Sequence, residues 1–394
     1  MNRLIGILLT LALLLAACAG QQEEPSAPGT FANPSASAGQ PGEAIISDYI
    51  TVRIGWSPPN ITGVFATVTQ FMEAAAETAR PYGINIEFIE HPDTDYTGVT
   101  EQIAAIESFI SQGADVIIVS PTDVDSIVPA LRDVNAADIP LIMINMMEEI
   151  PEVDVTSFIG FDNSAAASVT GWSMVNALGG PGPLPAAKEG SMDVPADTHL
   201  NLEWWENLYS GFDRQSVSGN VAIIEGSSGD YFANVRNRGF LEVIDSFPNI
   251  NILTIIPGDW NREVSVSAAE NILYMFGPGN IDAIFAPDSE MGIGARIAAE
   301  NAGREDDVMI LTQGGTAESS EWTRDQKLTA DTWHGFPDWG WYGVQFAVMQ
   351  VMGHSPPYMF DIGARTQWQG NAHMFYPYVQ LPVIPWQEIL DSRV

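Results

Sequence analysis

The sequence predicts an α/β protein with two doubly wound parallel sheets. Short apolar runs alternate with longer segments in which apolar residues recur three and four positions apart, and the alternation occurs in two successive series. Runs this apolar are typical of strands buried on both faces, and one helix between successive strands gives a parallel sheet. Two such series indicate two sheets.

The first series predicts five strands joined by helices. Helical patterns cover 65–80 and 99–112 and end near Gly83 and Gly113, as expected where a helix stops at a glycine. The strands are predicted at 49–56, 84–90, 115–120, 140–145 and 155–160.

The second series predicts four more strands after an interruption. Residues 179–219 are loop-like at their start and aromatic in their middle, and we interpret them as an insertion. For Trp204 and Trp205 a short helix pinned to its own lobe is favoured over a lid or docking surface. The strands are predicted at 220–225, 250–256, 281–286 and 307–313.

The N-terminus predicts export and anchoring. Arg3 precedes an apolar stretch, Leu4 to Ala17, that is too short to span a bilayer, so residues 1–17 are interpreted as a signal peptide. The run Leu-Ala-Ala-Cys ending at Cys18 resembles the bacterial lipobox, which implies lipidation of this single cysteine. Residues 18–45, rich in Pro, Ser and Gly, are then expected to form a lipidated, flexible tether. We expect an extracytoplasmic protein, lipid-anchored to the bacterial membrane.

Composition and missing motifs exclude several functions. The net charge of −35 argues against a nucleic-acid partner. The run 93–101 starts like a calcium-binding EF-hand, but its twelfth position is Ala104 instead of glutamate. The histidines show no metal-ligand spacing, and neither a phosphate-binding P-loop nor a Gly-x-Ser-x-Gly elbow occurs. We expect no cofactor, no metal and no catalytic residues, and hence no enzyme.

Four stretches carry a resemblance to a known family. They read ISQGADVIIVSPTDVDSIVPALRDVNAADIPLIMIN, SSGDYFANVRNRGFLEVI, PGDWNREVSVSAAENIL and FAPDSEMGIGA. In order and spacing they resemble ribose-type (type I) periplasmic binding proteins across residues 49–390, except in the insertion. The resemblance implies two lobes with a ligand between them and a hinge that the chain crosses three times.

The resemblance also implies the division of the chain into lobes. The N-terminal lobe is expected to comprise 46–162 plus 335–376, and the C-terminal lobe 163–334 plus 377–394. The crossings are expected near Asp162-Asn163, Trp333-Gly335 and Tyr376-Gln380.

In the C-terminal lobe and hinge, the resemblance assigns ligand contacts to five residues. Asp288 would accept hydrogen bonds from ligand hydroxyls, although a helix N-cap is its other interpretation, with Glu290 facing elsewhere. Arg236 would supply a rigid fork of donors, with Arg238 as the competing candidate. Trp260 would pack on a sugar face or serve as a buried structural residue. The family commonly has an aspartate where this chain has Gly314, which leaves Gln313 as the nearest polar residue. His334 either contacts the ligand or links the hinge strands.

In the N-terminal lobe, the predicted contacts come from the loop after the first strand and from the end of the fourth. The loop offers Ser57, Asn60 and Phe65, with Thr62 nearby. Asn145-Met146 stands where the family often has Asp-Arg, which removes two charges and favours a neutral ligand over a phosphorylated one.

These observations predict a solute-binding component of an ABC importer. It would bind a neutral sugar or polyol between its lobes and deliver it to a membrane permease. A sensory receptor that presents ligand to a kinase or chemotaxis partner is the alternative. A secreted hydrolase using Asp288 or Glu290 as an acid is less favoured.

Overall fold

The structure is a computed structural model that describes residues 49–90, 98–185, 192–378 and 380–392. The predicted signal peptide, Cys18 and tether lie outside the described residues, as does the acidic run at 93–97. None of the described helices combines the length and apolar character needed to span a bilayer.

Strands and helices alternate along most of the described chain, as the sequence pattern predicts. The strands are β1 (Ile50–Ser57), β2 (Ile84–Phe88), β3 (Val116–Val119), β4 (Leu141–Ile144), β5 (Ser157–Gly160), β6 (Ser218–Glu225), β7 (Asn249–Pro257), β8 (Ala283–Ala286), β9 (Met309–Gly314), β10 (Ala330–Trp333), β11 (Met359–Asp361) and β12 (Arg365–Gln367). The helices are α1 (Gly63–Ala79), α2 (Val99–Ser111), α3 (Val128–Ala136), α4 (Asn163–Ala177), α5 (Leu202–Leu208), α6 (Tyr231–Ile244), α7 (Arg262–Met275), α8 (Ser289–Asn301), α9 (Ala317–Arg324), α10 (Phe336–Val351) and α11 (Trp386–Asp391). Short 3-10 helices occur at Arg80–Tyr82, Arg214–Ser216 and Ala372–Met374.

The strands form two six-stranded sheets, which confirms the predicted fold class. The first sheet has the order β11-β5-β4-β3-β1-β2 and is parallel throughout. The second has the order β12-β10-β9-β8-β6-β7 and is parallel except that β12 runs antiparallel to β10. We call the parts of the chain built around these sheets the first lobe (49–161, 336–361 and 378–392) and the second lobe (163–334 and 365–376).

The C-terminal boundaries of the lobes differ from the prediction, which gives 335–376 to the first lobe and 377–394 to the second. The β12 strand joins the second sheet. Trp386 of α11 is buried in the first lobe's core, where its indole N–H donates to Thr78 Oγ1 at 2.9 Å. The chain therefore also passes from the first sheet to the second between β11 and β12. Burial of Trp386 explains the return of the C-terminus to the first lobe, because a large aromatic side chain stabilises the element that buries it.

The described part of the insertion covers the outer side of α4. Helix α4 is buried on nearly all sides, which is unusual for a helix beside a sheet. Trp205 of α5 is fully buried, and its indole N–H donates to Thr366 Oγ1 in β12 at 2.9 Å. Trp172 of α4 stacks on Tyr209 with ring centroids 4.8 Å apart. Trp205 is thus a packed residue of the second lobe, as the favoured interpretation predicts.

Helices α4 and α6 approach each other closely at a glycine. A Cβ atom at Gly239 would lie 2.0 Å from the carbonyl oxygen of Ser164, a distance that real Cβ atoms do not show. Ser168 Oγ donates across the same contact to the Gly239 carbonyl at 3.0 Å. This approach brings the start of α4 beside the middle of α6, where Arg236 lies.

Candidate functional site

A cavity of about 750 Å³ lies between the lobes, at the carboxyl ends of the strands of both sheets. This is where open parallel sheets collect ligands, because helix N-termini and loops converge there. Its lining comes from both lobes: Pro59, Asn60, Thr62, Gly63, Val64, Phe65, Gly98, Pro121, Thr122, Asn145, Ser227, Phe232, Arg236, Asp259, Trp260, Asn261, Arg262, Glu263, Asp288, Glu290, His334, Phe336 and Trp339.

Arg236 is held in the cavity wall by two hydrogen bonds. Its Nε donates to Asn163 Oδ1 at 2.9 Å, and its Nη1 donates to the Pro287 carbonyl at 2.7 Å. Only 6% of its surface is exposed. Burial lowers the pKa of Arg236 to about 10, against the opposing effect of Asp288 and Asp230. The guanidinium therefore keeps its charge at neutral pH, and Nη2 makes no further hydrogen bond to described residues.

Asp288 both caps a helix and lines the cavity. Its Oδ1 accepts hydrogen bonds from the backbone N–H of Glu290 at 2.8 Å and of Met291 at 3.3 Å. Burial raises the pKa of Asp288 to about 6, the Glu290 charge adds to the rise, and Arg236 opposes it. The predicted capping role is observed, and it uses one carboxylate oxygen, so the two interpretations of Asp288 are compatible.

Trp260 lines the cavity, and its indole ring is held by a hydrogen bond and by a cation–π contact. Its Nε1 donates to Asp230 Oδ2 at 2.6 Å, and the Arg236 guanidinium lies 5.4 Å from the ring centroid. Trp260 has φ of 54°, in the left-handed region that non-glycine residues rarely adopt. A Cβ at Gly226 would lie 2.1 Å from the indole ring, so a glycine is required beside it. The packing presents an aromatic surface in one fixed orientation.

His334 and Asn145 bring buried, unpaired polar atoms to the cavity. His334 is 2% exposed and its Nε2 has no partner among the described residues. Burial, with a smaller effect of Arg236, holds the pKa of His334 well below its usual range, so the ring is neutral. Asn145 is 8% exposed, and its Oδ1 likewise lacks a partner. Buried polar atoms are normally hydrogen-bonded, so both sites suit a ligand or water.

The loop after β1 and the start of α1 bring two of the predicted residues, Asn60 and Phe65, to the cavity lining. Asn60 Oδ1 accepts from the backbone N–H and the hydroxyl of Thr62, which shapes the loop before α1. Phe65 is buried at the start of α1.

Ser57 and Gln313 are predicted site residues that the structure does not bring to the lining. Both are fully buried within their strands. The Ser57 carbonyl accepts from Gln102 Nε2 at 3.2 Å, while its hydroxyl and both side-chain polar atoms of Gln313 have no partner among the described residues. Both side chains are therefore buried in the protein and are not part of the cavity lining.

Several residues that line the cavity were not predicted from the sequence. Glu290, expected to face elsewhere, lines the cavity and accepts from Arg262 Nε at 2.7 Å. Arg262 also pairs with Glu318 at 2.6 Å, so one arginine joins the first turns of three helices. Phe336 and Trp339 line the cavity from α10, and the aromatic run around the predicted hinge glycine is the signal that could have indicated them.

The second lobe touches the first beside the cavity through the start of α6. Phe232 is 8% exposed and belongs to the hydrophobic core of the first lobe around β3 and β4. Burial and the nearby Glu148 carboxylate raise the pKa of the neighbouring Tyr231. The lobes are therefore in contact beside the cavity through Phe232.

Comparison with known proteins gives consistent results. The sequence pattern of the periplasmic binding protein domain matches residues 54–355. A xylitol-binding protein of Mycolicibacterium smegmatis is 28% identical over 206 residues, which is 52% of this chain and 48% of that protein. The ribose import binding protein RbsB of Bacillus subtilis is 23% identical over 331 residues, 84% of this chain and 87% of that one.

A solved structure shares the fold. The periplasmic solute-binding protein of an ABC transporter from Actinobacillus succinogenes, with bound D-allose, superposes with a TM-score of 0.66 at 20% identity. The superposition covers 82% of this chain and all of that chain. At this identity, the likeness shows the fold alone.

Proposed function

The chain belongs to the periplasmic binding protein domain family, a family of binders and not of enzymes, and from this premise we propose that it is the solute-binding component of an ABC importer. It binds a neutral sugar or polyol between its lobes and delivers it to a membrane permease. Support for the sugar comes from relatives described as xylitol-binding and ribose import binding proteins.

The observation that carries this proposal is the mixed chemistry of the interlobe cavity. Arg236 offers donors, Asp288 and Asn145 offer acceptors, and His334 offers one unpaired ring nitrogen. Aromatic rings line the same cavity, as expected for a ligand with hydroxyls at its edge and C–H groups on its faces. These rings belong to Phe65, Phe232, Trp260, Phe336 and Trp339.

The charges around the cavity support a neutral ligand. The basic lining residues are Arg236 and Arg262, and the latter is already paired with Glu290 and Glu318. A phosphorylated ligand would meet the Asp288 carboxylate without a free cation beyond Arg236, which would cost electrostatic energy.

We further propose that the mature protein is tethered to the membrane by a lipid on Cys18. The lipobox-like sequence supports the anchor, and a tether up to residue 45 would leave the lobes free to reach a permease. The division into lobes 49–161 with 336–361 and 378–392, and 163–334 with 365–376, is part of this proposal.

A thermal-shift screen tests the ligand class. The panel is xylitol, D-ribose, D-allose and myo-inositol, with ribose 5-phosphate as the charged comparison. A neutral ligand that binds only the native state raises its melting temperature, and calorimetry then gives the affinity. Preference for the sugar phosphate, or no shift with any neutral member, contradicts the proposal.

Uptake separates an importer from a sensor. Deleting the gene in its host should abolish uptake of the labelled ligand if the protein serves a permease. Unchanged uptake together with a lost transcriptional or chemotactic response to the ligand would instead identify a receptor.

A further inference from the structure

One buried amide joins the predicted ligand-binding residues of the two lobes. Asn163 is the first residue of α4 and is 5% exposed. Its Nδ2 donates to the Asn145 carbonyl of the first lobe at 2.9 Å. Its Oδ1 accepts from Arg236 Nε of the second lobe at 2.9 Å. Asn163 itself does not line the cavity.

The orientation of this amide is fixed by its two neighbours. A carbonyl oxygen only accepts and an arginine Nε–H only donates, so the Nδ2 must face Asn145 and the Oδ1 must face Arg236. No other side chain of similar length provides a donor and an acceptor in this arrangement without a net charge. Aspartate would keep the acceptor but would set a carboxylate oxygen against the Asn145 carbonyl.

The close packing of α4 against α6 favours this contact. Gly239 lets α6 approach the Ser164 carbonyl of α4, and Arg236 lies one turn before Gly239 on the same helix. The close approach therefore places the guanidinium beside the first residue of α4. A larger residue at Gly239 would separate the helices and lengthen the bond to Asn163.

The hydrogen bonds form a continuous chain around the cavity. The chain runs from Asn145 through Asn163 to Arg236, and from Arg236 Nη1 to the Pro287 carbonyl, one residue before Asp288. Arg236 thereby has two of its nitrogens hydrogen-bonded to the protein, which leaves Nη2 without a hydrogen-bond partner among the described residues. A fixed guanidinium loses less conformational entropy when a ligand binds.

We propose that Asn163 is a positioning residue for ligand binding, which holds the Arg236 guanidinium in its binding orientation and couples it to the first lobe through Asn145. This inference rests on the proposed function for its effect on affinity. The coupling itself is a property of the unliganded protein. Since the Asn163–Asn145 bond joins the lobes, their separation would loosen the support of Arg236.

Arginine side-chain NMR tests the coupling without any ligand. In protein labelled with ¹⁵N-arginine, the Arg236 Nε–H resonance is identified as the one lost in Arg236→Lys. We expect its hydrogen exchange to be slow in the parent protein and about tenfold faster or more in Asn163→Ala, because the acceptor is gone. Unchanged exchange in a folded Asn163→Ala protein overturns the proposal.

Ser168→Ala is the matched control. Ser168 lies on the same helix, is similarly buried, and also bonds across to α6, but it does not touch Arg236. We expect Ser168→Ala to lower the melting temperature while Arg236 exchange stays slow. Equal acceleration of exchange in both variants would mean that Asn163 acts only by packing the helices.

A double-mutant cycle tests the effect on binding, with the panel sugar that gives the largest thermal shift as probe. Asn163→Ala should weaken its affinity about tenfold to a hundredfold, as for a lost hydrogen bond to a charged group. In an Arg236→Lys background the same substitution should have little effect, because lysine has no Nε–H to position. If Asn163→Ala weakens binding as strongly in the Arg236→Lys protein as in the parent protein, the proposal is overturned. If no panel sugar binds, the proposed function fails, while the exchange experiment still decides the role of Asn163.

Discussion

The imidazole of His334 stacks on the ring of Phe161, with ring centroids 4.1 Å apart and ring planes inclined at 29°. Phe161 follows β5, where the chain first leaves the first lobe, and His334 follows β10, where it returns. Two passages between the lobes are thus in aromatic contact beside the ligand cavity. The stack explains how a neutral, buried histidine is held at the hinge.

The buried imidazole predicts a specific pH dependence of stability. The pKa of His334 is lowered in the folded protein. Its contribution to the free energy of unfolding is therefore present above about pH 6.5 and is lost as the pH falls below that value. The unfolded state then binds the additional proton, at a cost of up to about 1.4 kcal/mol for each pH unit. We expect His334→Gln to lose less stability than the parent between pH 7.5 and pH 5.

Denaturant titrations of both proteins at the two pH values make this comparison. Asp288 and Asp331, whose pKa values burial raises to about 6 and about 7, act in the opposite direction, since they favour folding while protonated. The difference between parent and variant isolates His334. Equal losses of stability in both proteins would show that the pKa of His334 is the same in the folded and unfolded states.

Asp288 and Arg236 should contribute more to binding than to stability. Alanine at either position leaves a ligand group, or the charge of the other residue, without its partner. We therefore expect a loss of binding free energy of about 2–4 kcal/mol, roughly 30-fold to 1,000-fold in affinity. Calorimetry with the ligand found in the screen measures this loss. Near-parental affinity in folded variants would mean that both residues only cap and brace the second lobe.

Asn201→Ala is the control for the capping role of Asp288. Asn201 also caps a helix, α5, by accepting from the Trp204 N–H at 3.0 Å, but it lies outside the cavity lining. Both cap removals should cost about 1 kcal/mol of stability, whereas only Asp288→Ala should weaken ligand binding.

Trp260 should report ligand binding by its fluorescence. Ligand packed on the indole changes the surroundings of the ring, so saturation should alter the emission of the parent protein. The part of this change due to Trp260 should vanish in Trp260→Phe, and affinity should fall about twofold to tenfold with the smaller ring. An identical emission change in the variant would place the ligand away from Trp260.

Phe232 should favour contact between the lobes even without ligand. Its ring is buried in the first lobe's core although its helix belongs to the second lobe. Removing it gives up part of the about 1.5–3 kcal/mol that burying such a ring contributes, so Phe232→Ala should shift the unliganded protein towards open forms. Small-angle X-ray scattering should then show a larger radius of gyration, and ligand affinity should fall.

Phe240→Ala separates this effect from general destabilisation. Phe240 lies on the same helix but stacks on Phe285 within the second lobe, with ring centroids 4.0 Å apart. We expect it to cost about 3–5 kcal/mol of stability with no change in the radius of gyration of the folded protein. An unchanged radius in Phe232→Ala would refute a role in closure.

Cys18→Ala tests the proposed anchor. The acyl chain requires the thiol, so the variant should accumulate as an unprocessed precursor and should not incorporate labelled fatty acid. Labelling that persists in the variant would rule out Cys18 as the lipidation site.

The two sheets were predictable because most of their strands are continuous apolar runs. The three missed strands lack this signal: β10 carries the buried polar residues Asp331 and Thr332, and β11 and β12 have only three residues each. The return of α11 to the first lobe also escaped prediction, because its burial depends on distant partners such as Thr78.

The candidate site was predictable chiefly through the family resemblance, which supplied the positions of the expected contacts. Asp288, Arg236, Trp260, Asn145 and His334 all line the cavity. The burial of Ser57 and Gln313 was not predictable, because a position at a strand end does not show whether the side chain lines the cavity or is covered by other residues. The sequence marked Asn163 only as part of a hinge crossing, because its hydrogen-bond partners lie 18 and 73 positions away.

The insertion around α5 has a consequence for how the protein can be altered. It shields the helix whose first residue supports the arginine, so a chain shortened by this segment would expose the aromatic flank of α4 to water. We expect such a chain to aggregate or to bind poorly even though the described residues of the segment do not line the cavity. The insertion supports the binding site indirectly, because it covers α4. Engineered variants with shortened loops should therefore keep it.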